Sequence, residues 1–215
     1  MSRISLFKNP FLSVCLLLLM ALPGCASPEA VSKMTEGKTI AVTSTVKDDF
    51  DLTWIGTTVF HNEYGKIEGW EINKNVVDAA VKDLQNSGRF RNVFSVAAKD
   101  TDKGKETQKN ADFVVRIMPL SAHMAEYVKG IGVLRRTMFG GEGSTFGHVV
   151  LYISILDAES GIVRDGPVKT IWDTPFKLES GPKVPEGELQ NLRTETNKKI
   201  QETVHKFFKE SGLVK

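Results

Sequence analysis

Residues Val149 to Leu156 read VVLYISIL, and this stretch decides the fold. It is a run of apolar and β-branched side chains of the length and composition of a strand buried in a sheet. The next five residues, Asp157 to Gly161 (DAESG), carry the small and polar side chains typical of a turn. A second, more interrupted apolar run then continues to Trp172. The pattern predicts a β-hairpin over residues 149–172.

Shorter strand patterns and two helix patterns surround this hairpin. The strand patterns cover Lys38–Val46, Leu52–His61, Phe90–Ala97 and Ala111–Met118. Apolar residues at helical spacing cover Glu71–Ser87, which ends at Gly88, and the segment from Leu189 to Ser211. We therefore expect an α+β or α/β class with one mixed sheet of five to six strands and two main helices packed on it. Residues 38–215 are predicted to form this single domain.

The amino-terminal segment has the pattern of an export signal. Arg3 and Lys8 precede an apolar run from Phe11 to Leu22. Roughly a dozen apolar residues suit a signal peptide and are too few for a bilayer core of ~30 Å, which needs about 20. The run ends at Leu22-Pro23-Gly24-Cys25, where cleavage is expected between Gly24 and Cys25. Residues 1–24 are thus predicted to be a signal peptide.

The Leu22-Pro23-Gly24-Cys25 sequence resembles a bacterial lipoprotein signal. The resemblance implies a diacylglycerol on the Cys25 sulfur and a further acyl chain, such as palmitate, on its amino group. Several chains anchor durably, whereas one binds only marginally. Because Ala26 and not aspartate follows the cysteine, the resemblance implies the outer membrane, facing the periplasm. The alternative is an ordinary secretory signal with a chance cysteine at its end.

Residues 25–37 are small and polar, without apolar periodicity, and are predicted to be a tether. A dozen extended residues span at most ~40 Å, so the domain is expected to stay near its membrane.

Composition excludes several function classes. The only cysteines are Cys15, inside the signal, and Cys25, so no thiol is left for a disulfide, a metal or nucleophilic catalysis. The net charge of +2 rests on Arg3 and Lys8, and without these two the remaining 26 basic residues balance the 26 acidic ones. A balanced chain gives no electrostatic argument for binding nucleic acid.

No motif predicts an enzyme, a cofactor or a metal centre. The glycine-rich Gly140–Gly147 segment lacks the spacing of a dinucleotide site and the lysine of a P-loop, and a strand follows it, so we interpret it as a flexible connection. The four histidines, His61, His123, His148 and His205, are dispersed, whereas zinc sites need three or four ligands. The sequence therefore favours a non-catalytic protein.

A partner-binding surface is predicted in the connection between Ala125 and Phe146, which combines apolar and arginine side chains. Arginine and aromatic residues are enriched at interface hot spots. The residues proposed to bind a protein partner are Tyr127, Arg135, Arg136, Met138 and Phe139. The alternative is that these side chains fold back over the sheet.

Three segments carry a resemblance to a class of bacterial outer-membrane lipoproteins: Ala111–Val115 (ADFVV), Gly140–Gly147 and Val150–Gly161. The class includes the curli-secretion lipoprotein and the penicillin-binding-protein activator lipoprotein. Its domain is similar to the amino-terminal domain of the Tol-system β-propeller protein. The resemblance implies that fold, and it supports a lipid-anchored protein that binds or assembles part of the cell envelope.

Two other functions remain open at this stage. One is a pore-forming or ring-forming secretion lipoprotein, which would be a homo-oligomer. A membrane barrel strand needs about 9–11 alternating residues, and Arg135-Arg136 with the nearby glycines interrupts that alternation. The other is an unrecognised enzyme or small-ligand-binding protein, for which a deep pocket gathering His61, Glu63 or His123 would be the sign.

Overall fold

The computed structural model describes residues 26–56, 61–97, 110–120, 130–137, 143–178 and 181–215. The described helices are α1 (Pro28–Thr35), α2 (Ile72–Asn86), a short 3-10 turn (Glu186–Glu188) and α3 (Leu189–Ser211). The described strands are β1 (Thr39–Ser44), β2 (Phe50–Ile55), β3 (Asn62–Ile67), β4 (Asn92–Ser95), β5 (Phe113–Pro119), β6 (Ile131–Thr137), β7 (Gly143–Asp157) and β8 (Gly161–Asp173).

The predicted hairpin is confirmed as β7 and β8, and it forms the axis of the sheet. β8 pairs antiparallel with one edge of β7, from Phe146↔Asp173 to Asp157↔Gly161. The other edge of β7 carries two strands end to end, β6 on its first half and β5 on its second half. β2 and β3 continue the sheet beyond β6, while β1 and β4 continue it beyond β5.

The mixed α+β fold is as expected, but the strand number is not. Within the described residues the sheet has eight strands, whereas the sequence patterns indicated five to six. The two strands that the sequence patterns did not predict are β3 and β6, and both carry polar side chains. β3 is an edge strand with largely exposed side chains, and β6 carries Arg135-Arg136 where alternating apolar residues were expected.

The main core lies between one face of the sheet and the helices. Ile72, Val76, Ala80 and Leu84 of α2 are buried, as are Leu192, Ile200 and Val204 of α3. They pack against core side chains of the sheet that include Leu151, Ile153 and Ile155 of β7. The predicted helix over 71–87 is therefore confirmed within a residue at each end. Among the described helices, none combines the length and the apolar character that a membrane span requires.

The prediction of a tether over residues 25–37 is wrong for its described part. Residues 28–35 form α1, capped by the Ser27 hydroxyl, which accepts a hydrogen bond from the Ala30 amide at 3.2 Å. Val31 is fully buried in the main core. Arg89 ties α1 to the carboxyl terminus, because its guanidinium donates to the carbonyl oxygens of Ser32 and Gly212. Few apolar contacts suffice to fix so short a helix, and for this reason the sequence of residues 28–35 shows no clear apolar periodicity.

Candidate functional site

Four strands bring unusual polar side chains together at one end of the sheet. Trp54 of β2 pairs with Arg135 of β6, and Arg135 pairs in turn with Thr145 of β7. Trp172 of β8 pairs with Gly147, two residues further along β7. Because side chains alternate between the two faces of a strand, these residues lie on the same face as the core residues Leu52 and Val133. We call Trp54, Arg135 and Trp172 the donor cluster.

Gly147 makes room for the Trp172 ring. A Cβ atom at position 147 would lie closer than 3.0 Å to three carbon atoms of the Trp172 indole. Only glycine lets the indole lie directly on the β7 backbone at this point. The interpretation of Gly140–Gly147 as a flexible connection is therefore wrong for its described part, residues 143–147, which belong to β7.

The chain after β8 folds back over this end of the sheet. The Thr174 hydroxyl donates to the carbonyl oxygen of Thr145 at 3.1 Å, and the amide of Leu178 donates to the Thr145 hydroxyl at 3.3 Å. Phe176 is 7% exposed and Leu178 is fully buried. Apolar cover replaces water here, which lowers the local dielectric around the neighbouring polar groups.

Arg135 lies in this environment, and two of its three side-chain nitrogens have no acceptor among the described residues. Its side chain is only 9% exposed, and its Nε and Nη1 atoms are buried with no hydrogen-bond partner among the described residues. The indole Nε1 atoms of Trp54 and Trp172 are buried and unpartnered in the same way. Each such donor costs about 1–3 kcal/mol, and a charged one costs more. The donor cluster thus offers several hydrogen-bond donors, one of them charged, that have no acceptor in the part of the chain that the structure describes.

Two of the predicted partner-binding residues fall in the described chain, and they differ sharply. The prediction placed both on a connecting loop, but both lie in β6. Arg135 is buried on the core face, whereas Arg136 is exposed on the opposite face. Tyr127, Met138 and Phe139 lie outside the described residues. The sequence analysis did not predict a role for the tryptophans. A buried tryptophan usually finds a hydrogen-bond acceptor for its indole N–H group, so a Trp at a core-facing position of a strand is a signal that could have been used.

Gly24 and Cys25 also lie outside the described residues, but the residue after them is fixed. The Ala26 amide donates to the carbonyl oxygen of Val163 at 3.1 Å. The Ala26 carbonyl accepts from Arg164 Nη1 at 3.1 Å, and Arg164 Nη2 donates to the Glu210 carbonyl at 3.2 Å. Ala26 is therefore held on the first residues of β8, and Arg164 links this contact to the end of α3.

The turn between β7 and β8 is locked by a carboxylate. Asp157 Oδ1 accepts from the amides of Ser160 at 2.8 Å and Glu159 at 2.9 Å. These hydrogen bonds, that from Ser160 foremost, lower the pKa of Asp157 below its usual value. The turn lies beside the start of β8, at the same end of the hairpin as Ala26.

The potential metal ligands of the described chain do not assemble into a metal site. No group of three or more potential metal ligands occurs there. His148 is buried within β7, His205 lies 3.1 Å from Asp83, and His123 is outside the described residues. A cavity of about 310 Å³ lies where β5 ends and β6 begins, and Lys47, Asp49 and Asp51 are among its lining residues. Neither His61 nor Glu63 lines it.

Comparisons with known proteins do not assign the chain to a family. No protein-family model matches the sequence, and no curated protein matches it. Solved structures with a related arrangement include a PelC dodecamer from Paraburkholderia phytofirmans, which aligns at a TM-score of 0.40 and 13% identity over 84% of this chain and 92% of that one. A neuraminyllactose-binding hemagglutinin homologue from Helicobacter pylori aligns at 0.42 and 9% identity over 85% and 91%.

A hypothetical protein from Chlamydia trachomatis aligns at a TM-score of 0.36 and 12% identity, covering 78% of this chain and 98% of that chain. At scores below 0.5, these likenesses carry no conclusion about function. The resemblance to the curli-secretion and activator lipoprotein class stays a prediction.

Proposed function

We propose that this chain is a lipid-anchored, non-catalytic protein of the bacterial cell envelope, held on the outer membrane and facing the periplasm, that binds a protein partner. The observation that carries the proposal is the layout of β8. Val163 of this strand holds Ala26, the residue after the proposed lipid site, while Trp172 at its other end belongs to the donor cluster. Nine residues of strand span about 30 Å. The anchor and the donor cluster therefore lie at opposite ends of the hairpin.

The membrane part of the proposal rests on the signal pattern together with this fixation. The acyl chains are on Cys25, and the next residue, Ala26, is already hydrogen-bonded to β8. No flexible segment therefore separates the domain from the lipid. Its anchored end, with the β7–β8 turn, would rest on the membrane surface. The donor cluster would then lie at the end of the domain that faces the periplasm, away from the membrane surface.

The chemistry of the donor cluster supports binding and not catalysis. A guanidinium group stays protonated in proteins, and an indole N–H donates without accepting. Such groups can hold and orient an acceptor, but they cannot take a proton from a substrate or attack it. Arginine and tryptophan are also the residues most enriched among interface hot spots.

Two measurements test the proposal. Intact-mass analysis of the envelope protein is expected to show cleavage before Cys25 and added acyl chains, and Cys25→Ser should remove both the lipid and the membrane association. A photoreactive amino acid is then placed at exposed Asp173, beside the donor cluster, or at exposed Glu159, in the turn near the anchor. We expect a discrete protein adduct from position 173 and none from position 159.

The Arg135 side chain supplies the matched control for the crosslinking. Arg135→Gln should abolish the adduct at position 173, whereas Arg136→Gln, one residue away on the opposite face, should leave it intact. An adduct that persists in Arg135→Gln, or one that contains only further copies of this chain, would contradict binding of a separate partner at this end.

A further inference from the structure

We infer that the donor cluster binds a single carboxylate group of the protein partner, supplied by an aspartate or glutamate side chain or by a chain terminus. The carboxylate pairs with the Arg135 guanidinium, and the indole N–H groups of Trp54 and Trp172 complete its surroundings. This inference rests on the proposed function, because it names the group with which the partner enters.

The charge of the cluster requires an anion. Arg135 is a buried cation, and no ion pair within the described chain includes it. Buried charges in proteins are normally paired, because an uncompensated charge loses its hydration without replacement. The unpartnered neighbours Trp54 Nε1 and Trp172 Nε1 are donors as well, so an acceptor ligand suits the donor cluster better than a second cation does.

The neighbouring acidic residue does not fill this role. By register, Glu63 of β3 lies opposite Trp54 and hence on the same face. Its Oε2 atom is turned toward Gly181, since a Cβ atom there would lie 2.6 Å from it. Glu63 forms no ion pair with Arg135, so this carboxylate does not neutralise the guanidinium.

The same residues favour a carboxylate over a phosphate. The single cation of the donor cluster matches the one negative charge of a carboxylate better than the two charges of a phosphate dianion. A planar guanidinium can donate two parallel hydrogen bonds to the two oxygen atoms of a carboxylate, which is among the stronger pairings available to a protein. Two indole rings bordering the pair would shield it from water and strengthen it.

Tryptophan indole signals make the inference testable without knowing the partner. The chain contains three tryptophans. The third, Trp70, packs against Phe50 with ring centroids 4.2 Å apart, and Phe50 lies four residues before Trp54 in β2. The full acylated chain in detergent is titrated with sodium acetate, with sodium chloride as the ionic-strength control, while indole ¹H–¹⁵N signals are recorded. We expect saturable shifts for Trp54 and Trp172 and none for Trp70.

Acetate has few atoms, so its Kd is expected in about the millimolar range. Inorganic phosphate at equal concentration should bind at least about tenfold more weakly, a difference of about 1.4 kcal/mol. Arg135→Gln should abolish the acetate shifts, Arg135→Lys should weaken binding, and Arg136→Gln should leave it unchanged. Shifts that fail to saturate, that include Trp70, or that survive in Arg135→Gln would overturn the inference, as would tighter binding of phosphate.

The inference and the proposed function fail separately. If acetate binds at Arg135 but position 173 yields no adduct in cells, the carboxylate site stands and the partner proposal fails. If the Arg135-dependent adduct forms but acetate does not bind, the partner stands and the carboxylate inference is wrong.

Discussion

Replacing Arg135 by methionine should stabilise the free protein while removing its binding function. Arg135 buries a charge and at least two donor nitrogens without partners in the described chain. Methionine is unbranched and adapts to irregular space, so it can fill the position of the arginine stem beside Trp54. Removing the unsatisfied donors should increase the free energy of unfolding by about 1–3 kcal/mol.

The assay is thermal unfolding of the ligand-free protein in detergent. For a domain of about 190 residues each kcal/mol moves Tm by about 2–4 °C, so a gain of about 2 kcal/mol raises Tm by about 4–8 °C. The matched control is Arg136→Met, whose exposed side chain should change stability by less than about 0.5 kcal/mol. A lower Tm for Arg135→Met than for Arg136→Met would show that the guanidinium is already satisfied within the folded chain, and the reasoning would be wrong.

Three further changes probe the surrounding structure. Gly147→Ala places a Cβ atom against the Trp172 ring, so it should destabilise the fold by about 1–3 kcal/mol and shift the Trp172 indole signal. The control Gly187→Ala adds a Cβ atom that meets no neighbouring atom, so it should not destabilise the fold in this way. An unchanged Trp172 signal in Gly147→Ala would contradict the close approach. Asp157→Asn should lower Tm at pH 7, and the difference in Tm should shrink as the pH falls below about 4. The reason is that the pKa of Asp157 is lowered in the fold, so its carboxylate stabilises the fold fully only above its unfolded pKa and loses that effect as it protonates. A difference in Tm that is independent of pH would exclude this role. Ser27→Ala removes the cap of α1 and should cost about 1 kcal/mol in denaturant unfolding, whereas a tether at this position would predict no change.

The sequence predicted the parts of the fold that carry strong periodicity. The β7–β8 hairpin and the helix over Ile72–Asn86 follow from clear apolar patterns, and both are confirmed. The pattern failed where a polar residue is buried or an edge is exposed. Arginine is rarely buried, so Arg135 indicated a surface loop although it lies in the middle of β6.

The candidate site was only half visible in the sequence. The interpretation singled out Arg135 for its residue type, but its burial and the two indoles beside it depend on strand register across β2, β6, β7 and β8. Residues far apart in sequence, such as Trp54 and Trp172, come together only through that register. Similarly, the hydrogen bond between Ala26 and Val163 joins two segments that are distant in sequence. The polar segment around Ala26 has no periodicity that would predict this contact.

The central claim is that this domain is held on its membrane at one end and presents the donor cluster at the other. The mature chain has no free thiol if Cys25 is acylated, so Glu159→Cys and Asp173→Cys each provide one labelling site. The acylated proteins are labelled with a fluorescent donor and reconstituted in liposomes carrying acceptor-labelled headgroups. The layout of β8 predicts strong energy transfer from position 159 and weak transfer from position 173, which the length of this strand places about 40 Å away. Equal transfer from both positions, or stronger transfer from position 173, would contradict the claim.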